Sequence, residues 1–253
     1  GLVQDFKAPL NAAIVRAGGF GLNGVSNSVQ VAAYDQQLSM DILPQNAALF
    51  QFLGQLNTAG SNPYTHTITP DSPLDSATFV DTNVDPASGS AHHTRTFAGC
   101  KLISLQLSYP IKDLIKASWS WVGKKGVGGT TKQTLTPVTT APYLVANTDL
   151  KADGVSIPET FNAQVNIPTG ITSDNHVFNS LDIVEQGSPD YAPTITFDRH
   201  FIDSDVYDDL VAGTEVDLSL VTTRGANDTF TVNLLDCKYE QHDKSSGFKE
   251  RQK

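Results

Sequence analysis

Apolar and polar residues alternate with a period of two along much of the chain. That is the pattern of a strand with one face against a core. In residues 101–109, Ile103, Leu105, Leu107 and Tyr109 alternate with Ser104, Gln106 and Ser108, and Pro110 closes the run. Ile115, Ala117, Trp119 and Trp121 alternate with Lys116, Ser118 and Ser120, and the connection 110–114 is short enough for a hairpin. The same pattern predicts strands at 177–183, 195–201, 216–220 and 230–239. In the last of these the apolar phase moves from Phe230, Val232 and Leu234 to Leu235, Cys237 and Tyr239. A slip of one residue predicts a β-bulge.

Helical spacing is rare. Over 46–56, Leu49, Phe50, Phe52, Leu53 and Leu56 fall on one helical face, with Asn46 as cap and Gly54 as stop. Residues 204–212 read as a second short helix, capped by Asp203 or Ser204, acidic in its first turn and stopped by Gly213. Each helix is expected to cover a sheet. The fold class is therefore mainly β, sandwich-like or barrel-like, with one or two short flanking helices.

Long polar stretches separate these elements. Residues 57–98 carry Asn62-Pro63, Pro70, Pro73, Pro86 and Gly89, and 123–142 are rich in Gly and Thr. Structureless loops of about 20 residues are uncommon inside a compact domain. These stretches are therefore expected to be extended hairpins or arms that order against something else. The chain is expected to form a single domain over 1–253. Its arms are an N-terminal one over 1–30, a long hairpin over 57–98 and a C-terminal one over 240–253.

Composition agrees with strands and turns. Charged residues make up 17% of the chain and apolar residues 39%. Ser, Thr, Asn, Gln and Gly take the place of the Lys, Glu and Arg that surface helices favour. No run of about 18 apolar residues is present to span a bilayer as a helix. The start, 1–10, lacks the basic-then-apolar order of a signal peptide. Cys100 and Cys237 both lie in apolar strand-like segments and read as buried free thiols, although a disulfide between them is not decided by sequence.

The net charge is −10, and its distribution matters more than its size. Residues 101–132 hold six lysines against Asp113, a net +5. Residues 133–237 hold three basic side chains against sixteen acids, a net −13, and 238–253 hold five against three, a net +2. Such a division suits self-association and a surface that repels polyanions, whereas a nucleic-acid-binding groove needs the opposite sign.

Motifs for chemistry fail on their surroundings. Residues 19–24 match G-x-G-x-x-G, but a strand-like run follows where the dinucleotide fingerprint needs a helix. In 123–130 the residue before Thr130 is Gly129, so the phosphate-binding lysine is missing. Asp203, Asp205, Asp208 and Asp209 lack the glycine of a calcium loop and read as an acidic helix start. No H-E-x-x-H, C-x-x-C or G-x-S-x-G is present. Asn227-Asp228-Thr229 fits a glycosylation sequon by chance. No catalytic residue, metal ligand or cofactor is expected, and the chain is not read as an enzyme. Trp119, Trp121, Tyr64 and Tyr143 offer a second reading as a sugar-stacking module, with core packing favoured for the tryptophans.

The order of pieces resembles a known family. His66-Thr67-Ile68-Thr69-Pro70 comes first. Gly99-Cys100 then opens a strand, and a short turn leads to a second strand ending in Gly123-Lys124. With the run 49–54 before them and the strands and short helix after 178, these pieces resemble the major tail tube proteins of tailed bacteriophages over about 30–240.

The resemblance implies a subunit of hexameric rings that stack into a virion tail tube, through which viral DNA is delivered. It also implies partners: further copies of the chain, terminator and tip or baseplate proteins, a sheath where there is one, and DNA as transiting cargo. Assembly in the host cytoplasm follows. A tube of a contractile injection system shares these features. The expected inter-subunit and inter-ring contacts are Asn62, Tyr64, His66, Asp71, His92, His93, Lys124 and Lys125, and the candidate lumen acids are Asp182 and Asp217. Deletion of residues 62–92 is expected to leave the fold intact but to stop ring stacking.

Overall fold

A computed structural model describes residues 2–17, 28–46, 48–61, 64–71, 73–84, 91–129, 139–172, 189–200 and 205–240. The predicted strand at 177–183, the 19–24 motif, and Asn62 and Asp182 lie outside them.

The fold is mainly β and built from antiparallel sheets. The strands are β1 (Leu2–Lys7), β2 (Leu10–Ala17), β3 (Ser28–Leu43), β4 (Gly54–Ala59), β5 (Thr65–Pro70), β6 (Ala77–Val84), β7 (Ala91–Tyr109) and β8 (Lys116–Gly123). There follow β9 (Val127–Gly129), β10 (Thr148–Ala152), β11 (Val155–Ser156), β12 (Thr160–Pro168), β13 (Thr194–Arg199), the helix α1 (Asp205–Ala212), β14 (Val216–Thr223) and β15 (Thr229–Cys237). A nine-stranded sheet has the order β1-β3-β8-β7-β12-β13, with β2 also on β3 and both β6 and β9 also on β7. A four-stranded sheet has the order β11-β10-β14-β15, and β4 and β5 form a two-stranded ribbon.

The chain divides into two compact units. The first comprises Gly1–Tyr109, Leu114–Tyr143 and Gln164–Ile195, and the second Pro110–Asp113, Leu144–Ala163 and Thr196–Lys253.

The first unit is organised by the alternation seen in the sequence. Ala117, Trp119 and Trp121 of β8 are buried, as are Leu105, Leu107 and Tyr109 of β7. Leu38, Met40 and Ile42 of β3 pair with Trp121, Trp119 and Ala117. Trp119 and Trp121 stack with centroids 5.9 Å apart. Phe50 packs on Trp119 at 5.3 Å, while Phe52 and Phe79 meet Trp121 edge-on at 5.4 and 5.0 Å.

Two expectations change here. Ile103 does not share the face of Leu105, because the register with β8 slips between Leu102 and Ser104. Leu102 turns inward instead, and Ile103 packs on the opposite face against Leu74, Val122 and Ile171. The predicted helix at 46–56 is a 3-10 turn, Ala48–Leu53, that runs straight into β4. Phe50 and Phe52 are two residues apart and both reach the tryptophans, whereas an α-helix turns such positions to opposite sides. At Gly54 an added Cβ would fall on the Thr69 carbonyl oxygen, so the ribbon can begin there only with glycine.

The stretch 62–92 is not purely an arm: Leu74 and Ala77 are buried and Phe79 packs on Trp121, so part of it contributes to the core.

In the second unit Leu150, Val216, Leu218, Leu220 and Leu234 are buried. The predicted bulge in β15 is present: Leu218 pairs with Leu234 but Val216 with Cys237, and Asp236 takes a positive φ of 54°. Leu234 points inward and Leu235 is left 69% exposed. The helix α1 ends where expected, at Gly213 with φ of 67°.

Candidate assembly surface

Two glycines among the pieces that carry the resemblance have a structural reason. Gly99 has a φ of 67°, at the point where the β6–β7 register slips between Ala77↔Cys100 and Phe79↔Phe97. This is the left-handed position that lets a bulge turn the strand, and glycine adopts it without strain. The bulge directs Cys100 inward, where it is fully buried with its Sγ against Gly123. A Cβ on Gly123 would lie 2.5 Å from that sulfur. Gly99-Cys100 does not open a strand but sits at a bulge inside β7, and with the glycine that ends β8 it makes two halves of one packing contact. Gly126 continues it, since a Cβ there would sit 2.5 Å from the Phe97 ring.

Both cysteines are free, Cys100 buried and Cys237 partly so. Burial pushes the Cys100 thiol up from an ordinary 9.0 to about 12. Burial also raises Tyr109, Tyr191, Tyr239 and Cys237. The folded chain thus holds these protons more tightly than the unfolded chain. Stability from this source is complete below the ordinary thiol value and falls as pH rises through the 9 to 12 window. Unfolding free energies from urea titration should drop between pH 8 and pH 10.5, by about 2 kcal/mol from Cys100 alone, and Cys100→Ala should flatten that drop.

The expected contact residues fall in three places. Tyr64 and His66 lie on the β4–β5 ribbon, both exposed, with ring centroids 6.4 Å apart. His66 Nδ1 meets Thr58 Oγ1 across the ribbon at 2.9 Å. Asp71 is exposed at the end of β5. His92 and His93 are in β7, where exposed His93 pairs with Asn83. Two residues along, Arg95 bonds Asp81 at 2.6 Å and covers the Phe97 ring at 5.5 Å. Lys124 and Lys125 are exposed in the turn from β8 to β9.

Asp217 is exposed in β14 and serves its own unit. Its Oδ1 accepts the Asp236 amide of the bulge at 3.0 Å, and its backbone exchanges two 2.9 Å bonds with Asp153. Asp153 and Gly154 form a two-residue hairpin turn with φ of 48° and 79°. The Asp-Gly pair is a strong sequence signal for such a turn, yet the strand alternation around it is too short to draw notice.

Of the four aromatic residues weighed for sugar stacking, Trp119, Trp121 and Tyr143 are buried and only Tyr64 is exposed. Among the described residues no cluster of His, Cys, Asp and Glu could hold a metal ion. No helix among them is long and apolar enough to cross a membrane.

The ribbon is the most unusual surface. Every residue of β4 after Gly54 is exposed, as are all of β5 except Ile68. Leu56 pairs with Ile68 and is 44% exposed, so one face of the ribbon carries an apolar strip in water. A two-stranded hairpin is marginal by itself.

No curated protein matches the chain. A family model described as phage tail tube protein matches residues 19–250. That match runs through both units and takes in the Gly99-Cys100 and Gly123 contact. The chain therefore belongs to the phage tail tube protein family, as a structural component of a virion tail and not a member of an enzyme family.

Proposed function

We propose that the chain is the repeating subunit of hexameric rings that stack into a tail tube, and that viral DNA passes through the lumen. The exposed β4–β5 ribbon carries this reading. Its backbone and its Leu56–Ile68 strip gain burial when laid on a second copy, in the way an extended segment adds to a sheet. Tyr64, His66 and Asp71 belong to the ribbon or its ends, and with Asn62, His92, His93, Lys124 and Lys125 they form the proposed contact set between subunits and rings.

Charge supports the same reading. Lysine-rich 101–132 faces acid-rich 133–237 on neighbouring copies, and an acidic wall lets a polyanion slide without adhering. Asp182 and Asp217 are its candidate members. The ends of the tube bind terminator and tip or baseplate proteins, the outside binds a sheath where there is one, and assembly takes place in the host cytoplasm.

A variant with residues 55–69 replaced by a short Gly-Ser link tests this. It should keep its strand signal and melt within a few degrees of the parent, yet form no rings or tubes. Normal tubes from this variant would remove the ribbon from the assembly contact.

A further inference from the structure

One side chain reaches both ends of the ribbon at its base. Leu53 immediately precedes β4 and Asp71 immediately follows β5. The Tyr191 hydroxyl donates to the Leu53 carbonyl at 2.5 Å and lies 3.5 Å from the Asp71 carbonyl. A residue about 120 positions further along the chain thus touches both ends of the ribbon. The phenol ring packs against the buried cluster of Leu74, Val122 and Ile171, so the hydroxyl has a fixed origin.

The seat of Tyr191 is itself built into the sheet. Thr169 is fully buried, its amide donates to the Ile103 carbonyl at 2.8 Å, and its hydroxyl lies 2.5 and 2.9 Å from the Leu102 and Ile103 carbonyls. These are β7 residues at the register slip. The Asp190 amide then donates to the Thr169 carbonyl at 2.7 Å. Gly170, at φ of 71°, allows that approach, since a Cβ there would lie 2.9 Å from the Asp190 backbone. A continuous path of short contacts leads from β7 through Thr169 and Asp190 to Tyr191 and the ribbon.

We propose that the Tyr191 hydroxyl is a latch that closes the base of the β4–β5 ribbon and thereby sets the direction in which the ribbon is offered to the next copy. Gly54 leaves the ribbon no side chain of its own at that end, and the Tyr191 hydroxyl links its entry and exit in addition to the ladder between β4 and β5. Tyr191 is a positioning residue for assembly. The second half of this inference rests on the ribbon being the assembly contact.

Tyr191→Phe keeps the ring and removes the hydroxyl. Amide hydrogen exchange on the full chain, kept dilute and unassembled, reads the latch directly. One lost hydrogen bond predicts exchange over 53–71 faster by about 3- to 10-fold, with β7, β8 and β14 unchanged. Unchanged exchange over 53–71, or a uniform rise across all strands, would overturn the latch. Assembly is read separately, as the concentration at which tubes appear. A several-fold rise in that concentration for Tyr191→Phe, with the melting temperature held, supports the directional role. Faster local exchange with an unchanged assembly concentration upholds the latch and overturns its role in presenting the ribbon. Gly170→Ala, which keeps the Tyr191 hydroxyl but displaces Asp190 and with it the seat of Tyr191, should reproduce the local exchange increase. Its failure to do so would overturn the path through Thr169.

Discussion

Trp121→Ala is expected to lower the stability of the chain by about 3–5 kcal/mol, the usual cost of removing a large aromatic side chain from a packed core. The indole is fully buried and is met by Trp119, Phe52 and Phe79 within 6 Å between centroids. Leu38 and Leu102 lie beside it on the two neighbouring strands. These contacts come from β3, β6, β7, β8 and the 3-10 turn before the ribbon, so a cavity at this point loosens five segments together. A domain has about 5–15 kcal/mol in all, and a loss of this size brings many such proteins close to unfolding at growth temperature. Denaturant titration should show a lower midpoint with an unchanged slope. A loss below about 1 kcal/mol would mean that the aromatic cluster closes over the gap and that Trp121 is not the centre of the unit.

The second large effect is conditional. Gly123→Ala should destabilise by about 1–3 kcal/mol, because its Cβ lands 2.5 Å from the Cys100 sulfur inside a closed contact. Cys100→Ala removes that sulfur, and the atoms that remain nearest, the Cys100 Cα and Cβ, are at an ordinary 3.5 Å. The double variant should therefore be more stable than the sum of its parts by on the order of 1–2 kcal/mol, a coupling that denaturant midpoints of the four proteins measure. Strict additivity would show that Gly123 is needed for its backbone and not for the room it leaves. The outcome bears on two of the pieces, Gly99-Cys100 and Gly123, in which the sequence resembles the family.

Where the sequence was read correctly, one period governed a whole element. β8 alternates without interruption and its inward set is Ala117, Trp119 and Trp121. The bulge in β15 was legible because the slip changed which residues are apolar. Ile103 was misplaced for the opposite reason: Leu102 and Ile103 are both apolar, so the slip after Leu102 left no mark in the pattern. The run 49–56 fits a helix face and also a turn followed by a strand. Only the spacing of Trp119 and Trp121 on a distant strand decides for the second. β12 alternates Phe161, Ala163, Val165 and Ile167 with Asn162, Gln164 and Asn166, a weak strand signal because Asn and Gln are equally at home in a polar loop.

The assembly surface was harder to read. The composition of 57–98 marked an arm but not its division into a ribbon exposed on both faces and a second half with Leu74, Ala77 and Phe79 packed inward. Tyr191 gave no signal, because its partners are backbone carbonyls and any residue supplies those. Asp217 reads as a polar-face acid, and only the fold shows its carboxylate bound to the Asp236 amide.

The central claim is that this chain assembles through its own copies into a tube. Sedimentation of the purified full-length chain across a concentration series, with negative-stain electron microscopy of the same samples, tests it most directly. Closed six-fold rings at intermediate concentration and stacked tubes with a continuous lumen at high concentration are the predicted result. A monomer that persists at every concentration, with no ring in any field, would contradict it.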